Sequence, residues 1–398
     1  DEAINIAYSS KFAGSSNYWK NSIGMNNAIK KLGIIDRKKA EEKEFLNWVQ
    51  QSEVRKQKYG NVLSKLEEAY TKAYPYSRAA AYLRESLFSG AEMPRIASQI
   101  QRLSEKNITT DSLIAEAAAI YKNYYTVVDK ATIEVMLAEY EKAVDKDALP
   151  EIYTTIRKKF KNSYAKYAEY LFATSSFSDY DKFRNDYRKG KVDFKNDPAL
   201  KYWRDIETTL KEINSAELNN ANDSITDAER LYVAGIKEMA AEKGESLYPD
   251  ANFTMRMTFG KIGGYKPADA VEYSYYTTTK GVLQKEIPGD YEFDVPAALK
   301  SAIVEKNYGA YVDKQTGEMH VAFLSNNDIT GGNSGSPIFN AKGELIGLAF
   351  DGNWEAMSGD IVFEPDLQRT INVDVRYMLF VMDKVGGAKR LIDELTIK

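Results

Sequence analysis

The chain has 398 residues and a net charge of −4, with 43% hydrophobic and 28% charged residues. This length suffices for two or three domains, and the composition is typical of a soluble globular protein. The small net charge creates no field that would attract nucleic acid, and no apolar run approaches the ~20 residues that span a bilayer. There is no cysteine and one histidine, His320, which excludes disulfides and thiolate metal sites and argues against a histidine-rich zinc site. We therefore expect no metal, no cofactor, no nucleic-acid partner and no membrane association.

The N-terminus carries neither an initiator methionine nor a visible signal peptide. This start favours a processed or truncated chain over a native cytosolic one. The absence of cysteine does not decide the cellular compartment.

The first part of the chain is rich in Ala, Glu, Lys, Leu and Tyr, which is typical of long helices. Apolar residues at three- and four-residue steps from Phe45 to Tyr70 predict a helix, which we expect Pro75 to end. A second helix is predicted from about Asp111, its proposed N-cap. Further helices are predicted near 130–145, 150–175 and 197–218. We interpret their apolar stripes as packing between helices and their charged faces as solvated.

One more helix start is predicted at Thr226. Thr226 and Glu229 have the spacing of a capping box, in which the two side chains satisfy backbone N–H groups at a helix N-terminus. The apolar residues that follow predict a helix with one buried face.

The amino-acid composition changes after about residue 240, because 17 of the 24 glycines lie beyond this point. Strict alternation at 253–259 predicts a half-buried strand. Further strands are predicted at 273–279, 321–324 and 344–350. A final helix, broken at two glycines, is predicted at 375–395. The sequence therefore predicts an α+β protein, with a helical domain at residues 1–243 and an antiparallel β domain with a C-terminal helix at residues 244–398.

The most informative segment is Thr330-Gly331-Gly332-Asn333-Ser334-Gly335-Ser336-Pro337, which resembles the nucleophile loop of chymotrypsin-type serine proteases. An acyl-transfer nucleophile needs an exposed hydroxyl, a neighbouring base and N–H donors for the oxyanion. Ser334 offers the hydroxyl, and the backbone N–H groups of Gly332 and Ser334 are the expected donors. Predicted strands flank the loop on both sides and form a hairpin behind it. The alternative is a Gly/Ser/Asn hairpin loop without chemistry.

The sequence offers no general base for Ser334. His320 precedes Ser334 by only fourteen residues, within the strand that leads to the loop, whereas the chymotrypsin order places the histidine in a preceding barrel. We therefore expect His320 to be an ordinary strand side chain and not the general base.

Four segments resemble the dipeptidyl-peptidase 7/11 family of bacterial serine exopeptidases: 327–337, 348–355, 374–377 and, more loosely, 16–21. The resemblance covers nearly the whole chain. It implies a chymotrypsin-type double β-barrel with a helical domain inserted as a cap. Since the first barrel, with the family's catalytic His and Asp, is absent, the resemblance also implies that this chain is a C-terminal fragment. We expect it to be inactive alone, because its serine lacks a base.

The same resemblance implies roles for five residues. Ser334 matches the nucleophile and Gly332 an oxyanion donor. Asp351 matches the carboxylate that holds the substrate's α-ammonium group, which Asn17 helps to bind. Gly352 matches the position where glycine implies a hydrophobic P1 residue, the one before the cleaved bond, and arginine an acidic one.

Each binding residue also has a purely structural alternative. Asp351 could cap the amides of Asn353 or Trp354 in a turn. Gly352 could be a simple turn glycine, and Asn17 the N-cap of the first helix.

Three functional hypotheses follow. In the first, the intact protein releases N-terminal dipeptides from oligopeptides, without cofactor, in the periplasm or outside the cell. In the second, the chain is a non-catalytic peptide-binding module that retains the amine-binding cleft. In the third, it is purely structural. Because a second barrel without its partner exposes an apolar face, a homodimer is a further expectation.

Overall fold

The computed structural model describes residues 2–106, 108–247, 254–290 and 292–398. The described residues form two compact units. The first comprises those within 1–8 and 42–247, and the second those within 9–41 and 248–398. Residues 9–41 thus belong to the second unit, although the predicted helical domain of residues 1–243 includes them. Among the described helices, none combines the length and the apolar character needed to cross a membrane.

The N-terminal part of the chain is helical. Its helices are α1 (Glu2–Lys31), α2 (Ile34–Gln50), α3 (Glu53–Tyr59), α4 (Val62–Tyr82), α5 (Glu92–Ser104), α6 (Thr110–Tyr121), α7 (Thr126–Ala143), α8 (Glu151–Phe160), α9 (Tyr164–Thr174), α10 (Tyr180–Arg188), α11 (Pro198–Ile213) and α12 (Ala216–Glu242). A π-helical turn, Leu83–Phe88, follows α4. The predicted segments are all helical, but the one at 150–175 divides into α8 and α9 and several boundaries differ.

The apolar stripe predicted as one helix runs through α2, α3 and α4. Phe45, Val49 and Tyr59 of this stripe are fully buried and pack with Met239 of α12, whereas Val54 and Tyr70 are exposed. A larger core fills the space among α4 to α11, with Leu83, Tyr153 and Tyr202 among its buried side chains. The apolar periodicity therefore predicted what is buried better than it predicted where each helix ends.

The prediction that Pro75 ends a helix was wrong. Pro75 lies inside α4, with an exposed side chain, while Ala69, Ala73 and Ala79 on the same helix are buried. An internal proline removes one backbone hydrogen bond, and burial of the alanine face along α12 offsets that loss.

Two predicted helix caps were also wrong. The N-cap of α6 is Thr109, whose hydroxyl accepts from Ser112 N–H, and Asp111 lies in the first turn. Thr226 lies inside α12, where its hydroxyl donates to the carbonyl oxygen of Asn222 at 2.9 Å; Ser215 is the N-cap. A threonine inside a helix can bond to the carbonyl four residues back, so the capping-box spacing was coincidental.

The second unit contains the sheets and the remaining helices. They are β1 (Tyr265–Ala268), β2 (Val271–Tyr273), β3 (Tyr276–Thr278), α13 (Thr279–Gln284), α14 (Ala297–Val304), β4 (His320–Ser325), β5 (Pro337–Phe339), β6 (Leu345–Gly352), β7 (Thr370–Asp374), α15 (Val375–Phe380) and α16 (Lys389–Asp393). β1 and β2 pair as a hairpin, and the other strands form one sheet in the order β3-β4-β7-β6-β5. All of these pairs are antiparallel, so the predicted α+β class is confirmed.

The strand predicted at 253–259 was wrong over its described part. Phe253 lies outside the described residues, and 254–259 is not strand. Met255, Met257 and Phe259 are 86–100% exposed, so the alternating side chains bury no face against other described residues. The strands predicted at 321–324 and 344–350 are confirmed as β4 and β6, and the one at 273–279 divides into the end of β2 and β3.

Candidate active site

The loop that carries Ser334 connects β4 to β5, and hydrogen bonds between its own residues hold its conformation. Thr330 N–H donates to Asn333 Oδ1 at 3.0 Å, and Asn333 N–H donates to the Thr330 carbonyl at 3.1 Å. Gly332 and Gly335 have φ of +101° and +85°. Such torsions are open to glycine and strained for other residues, which explains the glycines that flank the serine.

The loop is attached to β6 on its C-terminal side. Gly335 N–H donates to the Ala349 carbonyl at 2.7 Å, and Ala349 N–H donates to the Ser336 carbonyl at 2.9 Å. β5 and β6 then form the hairpin predicted behind the loop, with Pro337 opposite Leu348. Ser334 is consequently held next to the end of β6.

The Ser334 side chain is exposed, and its hydroxyl donates to the carbonyl oxygen of Phe350 at 3.4 Å. A backbone carbonyl does not take a proton at neutral pH. This contact therefore orients the hydroxyl without activating it.

His320 lies far from this serine. It begins β4, whereas the Ser334 loop follows the other end of that strand. β7 and β6 lie between β4 and β5, so three inter-strand steps, roughly 14 Å in total, separate the two strands.

The His320 ring is engaged elsewhere. It is 4% exposed and stacks on Tyr276 with ring centroids 4.0 Å apart. Arg376 Nη2 lies 3.3 Å from Nδ1, and Thr316 Oγ1 lies 3.1 Å from Nε2. A guanidinium can only donate, so Nδ1 accepts and the proton of the neutral ring is on Nε2. Burial lowers the pKa of His320, which favours this neutral form and agrees with a structural role.

Asp351 and Gly352 end β6, one and two residues after the carbonyl that Ser334 contacts. The β6–β7 register shifts between Ala349 and Asp351, so Phe350 is the extra residue of a β-bulge. Bulges re-aim neighbouring side chains. The Asp351 carboxylate is exposed, and its Oδ1 accepts from Gly352 N–H at 2.8 Å. The sequence offered no signal for this bulge.

The turn-capping alternative for Asp351 is not what the structure contains. Asn353 performs the capping: its Oδ1 accepts from Ala356 N–H at 3.1 Å and from Arg369 N–H at 2.9 Å. The Asp351 carboxylate therefore retains acceptor capacity for a ligand. The simple-turn alternative for Gly352 also fails, because Gly352 is a strand residue and has no positive φ.

Asn17 lies inside α1 with an exposed side chain, so it is not the N-cap of the first helix. Asn21, one turn later on the same helix face, donates from Nδ2 to the sulfur of Met357 at 3.1 Å. Met357 belongs to a short 3-10 helix, Trp354–Ser358, that directly follows Asp351 and Gly352. Asn17 thus lies one helical turn before a contact between α1 and the segment that follows β6, a contact that the sequence did not reveal.

Acidic groups lie near the start of the nucleophile loop. Thr330 Oγ1 donates to Asp360 Oδ1 at 2.7 Å, which connects the loop to the segment after the short 3-10 helix. Burial and the neighbouring Asp360 charge raise the pKa of Asp328, and Arg256 opposes that rise. In the described part of the chain, no three His, Cys, Asp or Glu side chains are arranged to hold a metal ion.

Comparison with known proteins gives consistent matches along the whole chain. Residues 1–397 match the family described as Peptidase S46. The chain is 44% identical over 403 residues to dipeptidyl-peptidase 7 of Porphyromonas gingivalis, an alignment that covers 100% of this chain and 56% of that protein. It is 36% identical over 411 residues to the Asp/Glu-specific dipeptidyl-peptidase of the same species, with the same coverages.

The fold matches as well. The crystal structure of Porphyromonas endodontalis DPP11 in complex with the dipeptide Arg-Glu superposes with a TM-score of 0.86 at 32% identity. The match covers 99% of this chain and 57% of that one. The chain therefore spans little more than half the length of these relatives, and the predicted resemblance is confirmed.

Proposed function

The chain belongs to the S46 family of peptidases, and we propose that the full-length protein containing it is a serine dipeptidyl-peptidase that releases N-terminal dipeptides from oligopeptides. Relatives are named dipeptidyl-peptidases, and one solved relative binds a dipeptide. The observation that carries the proposal is local. The Ser334 hydroxyl contacts the carbonyl of the residue directly before Asp351. The Ser334 hydroxyl and the exposed Asp351 carboxylate therefore lie close together. This arrangement suits a substrate whose ammonium group lies two residues, about 7 Å, before the cleaved bond.

The proposed mechanism assigns one task to each residue. Ser334 Oγ attacks the carbonyl carbon after the second substrate residue, while a histidine outside this chain takes its proton. The backbone N–H groups of Gly332 and Ser334 stabilise the oxyanion. Asp351, with Asn17, binds the α-ammonium group. The alcohol oxygen replaces the peptide nitrogen, the leaving amine takes the proton back, and water then releases the dipeptide.

Gly352 supports a hydrophobic P1 preference. Glycine places no cation at this position to pair with a P1 carboxylate, and it fills less of the space near Ala356 and Met357 than any side chain would. We further propose a periplasmic or secreted location, which suits an enzyme of peptide catabolism, and a second barrel of chymotrypsin type.

A non-catalytic peptide-binding module is the second candidate. The observation in its favour is that the chain's one histidine is buried against Tyr276 and Arg376, away from Ser334. In that case the full-length protein would bind peptides through Asp351 without cleaving them.

The test is dipeptide release by the full-length gene product. We expect turnover of a fluorogenic dipeptide substrate, its loss in Ser334→Ala, and no cleavage of the same substrate with an acetylated N-terminus. Asp351→Asn should raise KM and lower kcat/KM by about 10- to 100-fold, since a charge-assisted hydrogen bond contributes about 1.5–3 kcal/mol. Peptide binding without any turnover would favour the binding module instead.

A further inference from the structure

Two side chains of the short 3-10 helix lie next to Gly352. A Cβ added to Gly352 would lie 3.0 Å from Cβ of Ala356 and 4.0 Å from Cε of Met357. A side chain at this position would thus pass Ala356 and meet the Met357 methyl group. With glycine at 352, no side chain lies between this backbone position and that methyl group.

Met357 is held in place by α1. Asn21 Nδ2 donates to its sulfur at 3.1 Å. A Cβ at Gly24, one turn further along α1, would lie 2.8 Å from Cγ of Met357 and 2.9 Å from Cε3 of Trp354. Only glycine permits so close an approach of the helix backbone. A methionine is ordinarily flexible, and here its stem packs against a helix while its sulfur accepts a hydrogen bond.

We propose that Met357 determines P1 specificity in this protein and that Asn21 is the positioning residue that orients it, an inference that rests on the proposed dipeptidyl-peptidase function. Met357 presents a polarizable, apolar end to the P1 side chain. Unbranched and aromatic P1 residues gain from this contact, because a thioether packs well against both alkyl chains and ring edges.

The same helix then serves two parts of the substrate. Asn17, the candidate ligand of the α-ammonium group, and Asn21 lie four residues apart on one face of α1. α1 therefore sets the position of the amine site relative to the P1 wall.

The experiment compares substrates that share one P2 residue and carry Met, Phe, Ala or Asp at P1. The parent full-length gene product is compared with its variants Met357→Lys, Met357→Leu and Asn21→Ala. Asn26→Ala, at an exposed position of α1, is the matched control. We expect Met357→Lys to raise the Asp-to-Met ratio of kcat/KM by at least about tenfold, because its ammonium group can pair with a P1 carboxylate. Met357→Leu should retain the order Met and Phe above Ala.

Asn21→Ala should lower the Met-to-Ala ratio by about three- to tenfold, chiefly through KM, while Asn26→Ala keeps the parent ratio. The same Asn21→Ala change made in the Met357→Leu protein should have no further effect on the ratio, since leucine has no sulfur to accept the hydrogen bond. Ratios between substrates do not depend on how much of a variant is folded, so a stability loss cannot imitate these results.

Unchanged P1 ratios in Met357→Lys would overturn the inference, as would an Asn21→Ala effect of equal size in both backgrounds. If the parent protein cleaves none of the four substrates, the proposed function falls and this inference with it. Turnover with unchanged ratios removes this inference alone.

Discussion

At the scale of single residues, the site consists of groups that lie within a few positions of the end of β6. Ser334 reaches the carbonyl of Phe350, and Asp351 and Gly352 follow directly. The bulge at Phe350 breaks the strict alternation of a regular strand, so under the proposed function the consecutive residues Asp351 and Gly352 can both face the substrate. The identity of each side chain here is therefore expected to act on the substrate more than on the fold.

Gly352→Arg tests this directly in the full-length protein. We expect the P1 preference to move from apolar residues towards Asp and Glu, because a guanidinium can bind a P1 carboxylate. The added Cβ, 3.0 Å from that of Ala356, should cost about 1 kcal/mol of stability. Gly352→Gln adds a similar steric load without charge and serves as the control. If both variants show the same P1 profile in kcat/KM, Gly352 does not face the P1 side chain.

A buried carboxylate in the helical unit supports a prediction of pH dependence. Asp129 is 1% exposed and accepts from the N–H groups of Glu92 and Met93 at the start of α5. Burial raises the pKa of Asp129 to about 6, although those N–H groups oppose the rise. The folded state thus binds this proton more tightly than the unfolded chain, whose pKa is near 3.9. This contribution to stability is present at low pH and is lost as the pH rises from about 4 to about 6.

Urea unfolding of Asp129→Asn between pH 4.5 and 7 measures that contribution. The parent chain should lose about 2 kcal/mol more unfolding free energy over this range than the variant, which has no carboxyl group to titrate. Asp147→Asn makes the same substitution at an exposed position and is the matched control. Parallel curves for parent and Asp129→Asn would contradict the prediction.

At the scale of elements, packing and local capping decide where helices begin and end. α12 begins at Ser215, whose side chain accepts from Leu218 N–H, and continues through Thr226 while it packs along α4. α4 in turn accommodates Pro75 because its buried alanine face is retained. Element boundaries in this unit thus follow tertiary contacts as much as local signals.

The two candidate caps of α12 can be compared by substitution. Ser215→Ala should lower the free energy of unfolding by about 0.5–1 kcal/mol, because it leaves an N–H group at the helix start without its partner. Thr226→Ala should change it by less than about 0.5 kcal/mol, since alanine is the better helix former and the lost bond only duplicates a backbone acceptor. Thermal unfolding of both variants is the measurement. A larger loss in Thr226→Ala would restore the capping-box interpretation.

At the scale of the whole molecule, no histidine of this chain lies beside the loop that carries Ser334. His320 begins β4, at the end opposite to the Ser334 loop, and is bonded to Thr316 and Arg376. The relatives are nearly twice as long as this chain, so the activity we propose belongs to the full-length protein.

Fluorophosphonate labelling distinguishes the isolated chain from the full-length protein. We expect no labelling of the 398-residue chain and rapid labelling of the longer protein at Ser334, because only a base makes the hydroxyl nucleophilic. Intact mass is the readout, with Ser334→Ala as the control in both. Labelling of the isolated chain at Ser334 would show that a base exists within these residues and would require His320 to be reconsidered.

Features that depend on local chemistry could be predicted from the amino-acid sequence. Apolar periodicity predicted the buried faces of the helices, an apolar run after a turn predicted β6, and the glycines near Ser334 supply the positive φ that the loop requires. These properties follow from torsional freedom and from hydrophobic burial at a fixed period, which neighbouring residues alone encode.

Only the tertiary structure decided the contacts between distant segments. Asn21 and Met357 are 336 residues apart, and their hydrogen bond depends on how α1 packs, which no local pattern encodes. The same holds for the bulge at Phe350, which depends on the β6–β7 register, and for the burial of His320 under Tyr276. Pro75 and Thr226 show the converse, because packing of α4 and α12 overrode their local signals to end or begin a helix. Local preferences of about 1–3 kcal/mol yield to burial spread over a whole helix face.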